Sequence, residues 1–268
     1  MKAIPLLAER INLIPGEFIL HDKLASSPIS QIFLCTLNNI KAVIRFDLPC
    51  ASLLAIDREN EAMLLNQIKH LGLAPKVLFH DSLKGIFIWE FLEGEQFILT
   101  PETQASYIRL LGSSLAQVHE SIISKNSIDI FSASINLYKR LLGNSPHQAL
   151  IKKTLSLYNV ISRDGMSFVL SHNDLNAKNI LWNDQFLFLD WEYAGLNHPY
   201  FDIASIFKAQ CFKEDQLREF LIGYCGKADF FHLKTLKQWI LFSDLLDEVW
   251  EISVNLLSQD NHHLGDMK

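Results

Sequence analysis

The sequence predicts an α+β chain of two lobes, a small β-rich one over residues 1–93 and a larger, mainly helical one over residues 94–268. Three observations predict it. Short β-rich runs crowd into the first ninety residues around one helical stretch. Helical spacing takes over after Gly94. A single polar loop, flanked by short apolar runs, interrupts that texture between Phe168 and Tyr193. With 268 residues, 49% of them hydrophobic, the chain is long enough for one large domain or for two lobes with a cleft between them, with ample apolar material for a core.

Residues 17–21, 31–37 and 41–46 are β-rich runs separated by turn formers, so they read as strands. Asn38-Asn39 supplies a hairpin turn between the second and third. A helix is predicted over residues 53–70, because Ala55, Met63, Leu64 and Ile68 form an apolar stripe and Gly72 stops it. Strands over 76–80 and 85–92 make another hairpin about the turn at 81–84. Residues 90–94 form the joint. A helix then runs over 101–121, with Thr100 as N-cap, Pro101 in the first turn, and Ile108, Leu111, Leu115 and Val118 at helical spacing. Residues 147–162 and most of the chain beyond Phe201 carry the same pattern.

Several function classes recede at once. A formal net charge of -6 argues against a nucleic-acid partner, since neutralising phosphates needs a basic face. Cys35, Cys50, Cys211 and Cys225 form no C-x-x-C pair and no zinc-ligand spacing, so reduced thiols in a cytoplasmic protein are expected. No run reaches the roughly 18–20 apolar residues of a membrane-spanning helix, and no targeting segment is expected. Neither G-x-G-x-x-G nor G-x-x-x-x-G-K-[ST] is present; Gly223…Gly226-Lys227 is too short for a P-loop.

The chemistry concentrates in the polar loop, Ser171-His172-Asn173-Asp174-Leu175-Asn176-Ala177-Lys178-Asn179. After Ile180-Leu181-Trp182 comes Phe186-Leu187-Phe188-Leu189-Asp190-Trp191-Glu192, a buried strand that delivers the Asp190 carboxylate to its mouth. Asp174, Asn179 and Asp190 are thereby offered from two adjacent loops. Phosphoryl transfer asks for such a set, because its catalysis is mainly positioning and charge neutralisation. One carboxylate takes the proton of the attacking hydroxyl, and hard oxygen ligands hold Mg²⁺ on the nucleotide phosphates. An Asx-rich turn with solvated acids is the alternative the same residues allow.

H-N-D-L-N-A-K-N-I-L, followed by L-D-W-E-Y-A-G and F-D-I-A, resembles the choline/ethanolamine kinase branch of the aminoglycoside phosphotransferase-like superfamily; bacterial thiamine kinases share most of these motifs. The strong part covers Ser171 to Phe207, with weaker agreement over nearly the whole chain. The resemblance implies a bilobal protein-kinase-like fold, a nucleotide-binding first lobe, ATP as co-substrate with Mg²⁺, and a small-molecule hydroxyl as acceptor. It makes Asp174 the catalytic base, Asn179 and Asp190 the magnesium ligands, His172 a structural residue of the loop, and Asp202 the acid that braces it. Arg45 looks like the basic residue that contacts phosphates, and Glu61 like its partner on the helix; on the residues alone, two surface charges that never meet is the other reading. Trp89-Glu90-Phe91-Leu92-Glu93-Gly94 resembles the adenine-binding hinge, which assigns Glu90 and Leu92 to the nucleotide. The phosphate-covering turn, usually glycine-bearing in the family, is here Ser26-Ser27-Pro28-Ile29-Ser30-Gln31, with Ser30 as the candidate phosphate contact and less freedom to close.

Residues 242–251 read as an amphipathic helix with Asp244, Asp247, Glu248 and Glu251 on one face and Leu246, Val249 and Trp250 towards the other. Like charges at i, i+4 destabilise a helix by roughly 0.2–0.5 kcal/mol per pair. Two readings stay open: a solvated face, or an acceptor pocket for an ammonium with Trp250 adding cation–π attraction. Choline kinases present two tryptophans, three residues apart, at what looks like this helix; Trp250 matches the second, and Asp247 stands in place of the first. Ala209 stands where the family often has an acid. Glu192, Asp247, Trp250 and Glu251 are the acceptor-binding candidates. Choline or ethanolamine ranks first, thiamine or an aminoglycoside next; a catalytically silent kinase-like binding protein is the alternative of a different class.

Overall fold

The computed structural model describes residues 7–54, 56–122, 130–227 and 232–265. After a short helix α1 (Leu7–Ile11), strands β1 (Phe18–Ser26), β2 (Ser30–Leu37) and β3 (Ile40–Asp47) are followed by helix α2 (Arg58–Ile68), then β4 (Val77–Asp81) and β5 (Ile86–Glu90). The five strands form one antiparallel sheet in the order β1-β2-β3-β5-β4. Asn38 and Asn39 both take left-handed backbone angles, with φ of 49° and 64°, and close the β2–β3 hairpin with Leu37 opposite Ile40. Asparagine tolerates that region better than most residues, which is why the pair marks the turn.

Helix α2 is shorter than the predicted 53–70. Residues 49–53 form a tight 3-10 turn led by Pro49, and the helix starts only after Asp57, whose side chain accepts from the Asn60 amide at 3.0 Å. A carboxylate that caps the first turn fixes the start more firmly than an apolar stripe does. The predicted stop at Gly72 is present, with φ of 69°.

The C-terminal lobe contains β6 (Glu95–Gln96), α3 (Ala105–His119), α4 (Ile130–Leu142), α5 (Gln148–Ile161), β7 (Val169–Ser171), β8 (Ile180–Trp182), β9 (Phe186–Phe188), β10 (Gly195–Asn197), α6 (Pro199–Ala209), α7 (Glu214–Cys225) and α8 (Leu233–Gly265). Two small antiparallel sheets, β10-β7 and β6-β8-β9, hold the polar loop. Helix α3 begins at Ala105 rather than 101. Thr100 instead closes a turn with Thr103, whose hydroxyl accepts from the Thr100 amide at 2.9 Å. Helix α4 was not predicted: Ser134 and Asn136 dilute its stripe, although Ile135, Tyr138 and Leu142 are buried at i, i+3 and i+7.

One apolar cluster spans both lobes. It joins Leu64, Leu65, Ile68 and Phe87 of the first to Leu111, Phe186, Phe188, Trp191, Trp239 and Phe242 of the second. Full burial of such side chains is worth about 1.5–3 kcal/mol each, so the lobes are held together by more than the joint. The β1–β2 turn is tied down as well, since Ile29 packs with Cys50, Ala51 and Leu54 against Val254 and Leu257 of α8. Among the described residues, no helix is long and apolar enough to cross a membrane.

Candidate active site

The polar loop leaves β7, makes a 3-10 turn over Ala177–Asn179 and enters β8; the second loop follows β9. Left-handed angles at Asn173 (φ 65°) and Asp190 (φ 63°) turn the chain sharply in each loop, at residue types that bear it.

His172 locks the two loops together. Its Nδ1 accepts from the Asp174 amide at 3.3 Å, which leaves the proton on Nε2 to donate to the Leu189 carbonyl at 2.8 Å. Burial holds this imidazole down at about 4, so it stays neutral. Asp202, fully buried in the first turn of α6, accepts from the backbone amides of His172 at 2.7 Å and Asn173 at 2.8 Å. His119 of α3 approaches the same carboxylate at 3.1 Å and contacts the Tyr224 hydroxyl at 2.7 Å. Sequence reasoning missed His119; its signal was a histidine directly after Val118 on the apolar stripe of α3.

The Asp174 carboxylate is gripped at both oxygens. Asn179 Nδ2 donates to one at 3.0 Å and Asn176 Nδ2 to the other at 3.1 Å. Burial pushes this carboxyl up to about 7, helped by the charges of Glu192 and Asp247 and opposed by the two amides. Asn179 Nδ2 also donates to the Asp174 carbonyl at 2.8 Å, which turns the amide oxygen away from Asp174. Asp190 faces the cleft with its side chain 42% exposed. Its carboxyl is nonetheless raised well above the usual range, first by desolvation between the cleft walls and then by Glu192.

Behind Asp190, Arg45 of β3 and Glu61 of α2 form a buried two-pronged pair at 3.1 and 2.5 Å. Two further members were not expected. Arg58 bonds Asp47, Glu61 and Glu192, and Asp47 lies 3.5 Å from Arg45 Nε. Four acids and two guanidinium groups thus converge there, since Asp190 lies 3.8 Å from Arg45 Nη1. Burial of this kind is tolerable only because each charge is met by its opposite.

A cavity of about 890 Å³ runs between the lobes and is lined by the Ser26–Ser30 turn, Arg45, Asp174, Asp190, Lys208 and Asp247, among others. Ser30 sits in that turn with its hydroxyl 3.2 Å from Ser27 Oγ, while Ser27 Oγ accepts from the Ser30 amide at 3.1 Å. Trp250 and Glu251 also line the cavity, and Trp250 Nε1 donates to the Tyr193 hydroxyl at 2.8 Å. The acidic stripe carries a counter-ion: Lys208 of α6 reaches Asp244 at 2.6 Å and Asp247 at 2.7 Å. Glu192 touches the cavity, but its carboxylate goes to Arg58 at 2.8 Å, on the Arg45 side rather than beside Asp247. Glu90 and Leu92 stand at the joint outside these walls, and the Glu90 amide donates to the Lys76 carbonyl at 2.9 Å.

Of the two expected metal ligands, Asp190 lines the cleft, whereas Asn179 is buried behind it against Asp174 and is not one of the lining residues. Among the described residues no group of three or more His, Cys, Asp and Glu gathers as a metal site. A pair of hard oxygens fits Mg²⁺, which keeps several waters and takes further oxygens from phosphates; it does not fit zinc.

A family model described as the phosphotransferase enzyme family matches residues 26–239. Protein LicA of Haemophilus influenzae is 28% identical over 212 residues, covering 76% of this chain and 62% of the relative. Ethanolamine kinase 1 of Mus musculus is 28% identical over 174 residues, covering 58% and 47%. The chain therefore spans only about half to two thirds of these relatives' length. The crystal structure of choline kinase LicA from Streptococcus pneumoniae superposes with a TM-score of 0.73 at 20% identity, covering 92% of this chain and 89% of that one. LicA in complex with AMP gives 0.72 at 19% identity, covering 92% and 88%. The fold is the kinase-like fold of these structures.

Proposed function

This chain belongs to the phosphotransferase enzyme family, and on that premise we propose that it transfers the γ-phosphoryl group of ATP to the hydroxyl of a small cationic amino alcohol of the choline or ethanolamine kind. The observation that carries the reading is the Asp174 carboxylate, gripped by Asn176 and Asn179 in the same cavity as Asp190, Asp247 and Trp250. The names of the relatives support it: LicA of Streptococcus pneumoniae is a choline kinase, a LicA has been crystallised with AMP, and the mouse protein is an ethanolamine kinase.

In this reading Asp174 accepts the proton of the acceptor hydroxyl as its oxygen attacks the γ-phosphorus, and the bond to the bridging oxygen of ADP breaks. Asn179 and Asp190 would hold Mg²⁺, which supplies charge neutralisation on the phosphates. Arg45 faces the phosphates from β3, steadied by Glu61. His172 and Asp202 act on the loop and not on the substrate. Ser30 lies under the phosphates, and adenine would extend beyond these walls to the joint, to meet backbone groups of Glu90 and Leu92 other than the Glu90 amide, which Lys76 takes. The acceptor's ammonium meets Asp247, Glu251 and the Trp250 face; two aspartates against one lysine leave that end net negative. ADP release should be followed with a panel of amino alcohols, thiamine and aminoglycosides. An amino alcohol is expected to stimulate it most; a panel in which none raises it above the acceptor-free rate overturns the reading.

A further inference from the structure

We infer that Arg58 is a positioning residue for the nucleotide: it keeps Glu192 and Asp47 off Arg45, so that Arg45 stays available to phosphate. The inference rests on the function proposed above and concerns a residue to which neither motif nor fold assigns a role.

Arg58 is the first residue of α2, a place where an arginine is normally solvated, yet its side chain is only 7% exposed. Its planar fork meets acids from three different parts of the chain. Nε and Nη2 donate to the two oxygens of Asp47, at the end of β3, at 3.0 and 2.8 Å. Nη1 donates to Glu61 at 3.1 Å and, across the lobes, to Glu192 at 2.8 Å. Arg45 holds Glu61 itself, at 3.1 and 2.5 Å, but lies farther from the other two acids: its Nε is 3.5 Å from Asp47 and its Nη1 is 3.8 Å from Glu192. Asp47 and Glu192 are thus held by Arg58 and only approached by Arg45.

Without the Arg58 fork, three buried carboxylates face one guanidinium. Buried charges left without a partner turn to the next cation, and here that cation is Arg45. Its donors would then close on Glu192 and Asp47 and no longer face a phosphate. The same contact latches α2 to the loop that carries Asp190, and Asn60 Nδ2 adds a second latch to the Ala194 carbonyl at 3.1 Å. Lysine cannot replace the fork, because a compact ammonium does not span three separate carboxylates at once.

The test is calorimetric binding of Mg·ATP, without acceptor, to the parent, Arg58→Gln, Glu192→Gln and the double variant, with thermal melts to establish that each is folded. Arg58→Gln is expected to weaken binding about tenfold or more, and the second change, Glu192→Gln, to recover most of that loss by removing the stray carboxylate. Should Arg58→Gln not fold, Arg58→Lys takes its place and is expected to weaken binding severalfold, again with recovery by Glu192→Gln. A merely structural Arg58 would make the double variant as weak as the single one or weaker. That result, or a single variant within about twofold of the parent, overturns the inference and leaves the proposed function standing. A parent that binds no Mg·ATP at millimolar concentration overturns both.

Discussion

Asp174 shows how much a single carboxylate's surroundings decide. Its desolvation raises the carboxyl to about 7, so the proton-accepting form fills as pH rises through neutrality. The expected kcat/KM for transfer is flat above about pH 8 and falls about tenfold per unit below 7; an acid limb centred near 4 would mean that the cleft does not raise this group. At the other end of the cavity, Lys208 partly neutralises Asp247. Exposed pairs of this kind are worth about 0.2–1 kcal/mol. Lys208→Ala should therefore lower the KM for a cationic acceptor about two- to fivefold, and Asp247→Asn should raise it, with the KM for ATP unchanged in both. Steady-state kinetics in each substrate checks this, and an Asp247→Asn variant with the parent's acceptor KM returns the stripe to solvent. Asp174, Asn179 and Asp190 could be picked out from loop composition and one apolar run. Arg58 could not: it reads as a solvated charge at a helix start, and nothing local says that Glu192, 134 positions on, will meet it.

At the scale of elements, strands and hairpins were legible wherever turn chemistry was explicit. Asn38-Asn39 specifies a left-handed pair, and the β2–β3 hairpin closes there. Helix starts were less legible, because Asp57 and the Thr100–Thr103 turn compete with apolar stripes that run past them. The packing of α3 on α7 was hidden altogether. Gly112 and Gly223 lie within these helices, and glycine in a helix interior reads only as a weak point. In the fold, a Cβ on Gly223 would overlap the Arg109 carbonyl oxygen, and one on Gly112 the Phe220 carbonyl oxygen. The two backbones touch there. Gly223→Ala is expected to destabilise the protein by about 1–3 kcal/mol, as overpacking does, read as a lower urea midpoint. An unchanged midpoint would show that the helices part without cost.

At the scale of the whole molecule, the change of texture at Gly94 announced a β-rich lobe followed by a helical one, because period-2 and helical patterns differ in kind. The sequence did not reveal how firmly the lobes are joined. That comes from long-range contacts: one apolar cluster running from Leu64 to Trp239, the Ile29 turn resting on α8, and the Arg58–Glu192 bridge. These contacts hold the charged groups of the two lobes in register. The proposed phosphoryl transfer in the cleft depends on Asp174 as the proton acceptor. Its most direct test compares phosphoryl transfer from labelled ATP by Asp174→Asn and the parent, alongside Mg·ATP affinity. Turnover should drop by about a hundredfold or more, with affinity within about twofold; a variant that transfers phosphate at the parent's rate would show that Asp174 does not take the proton.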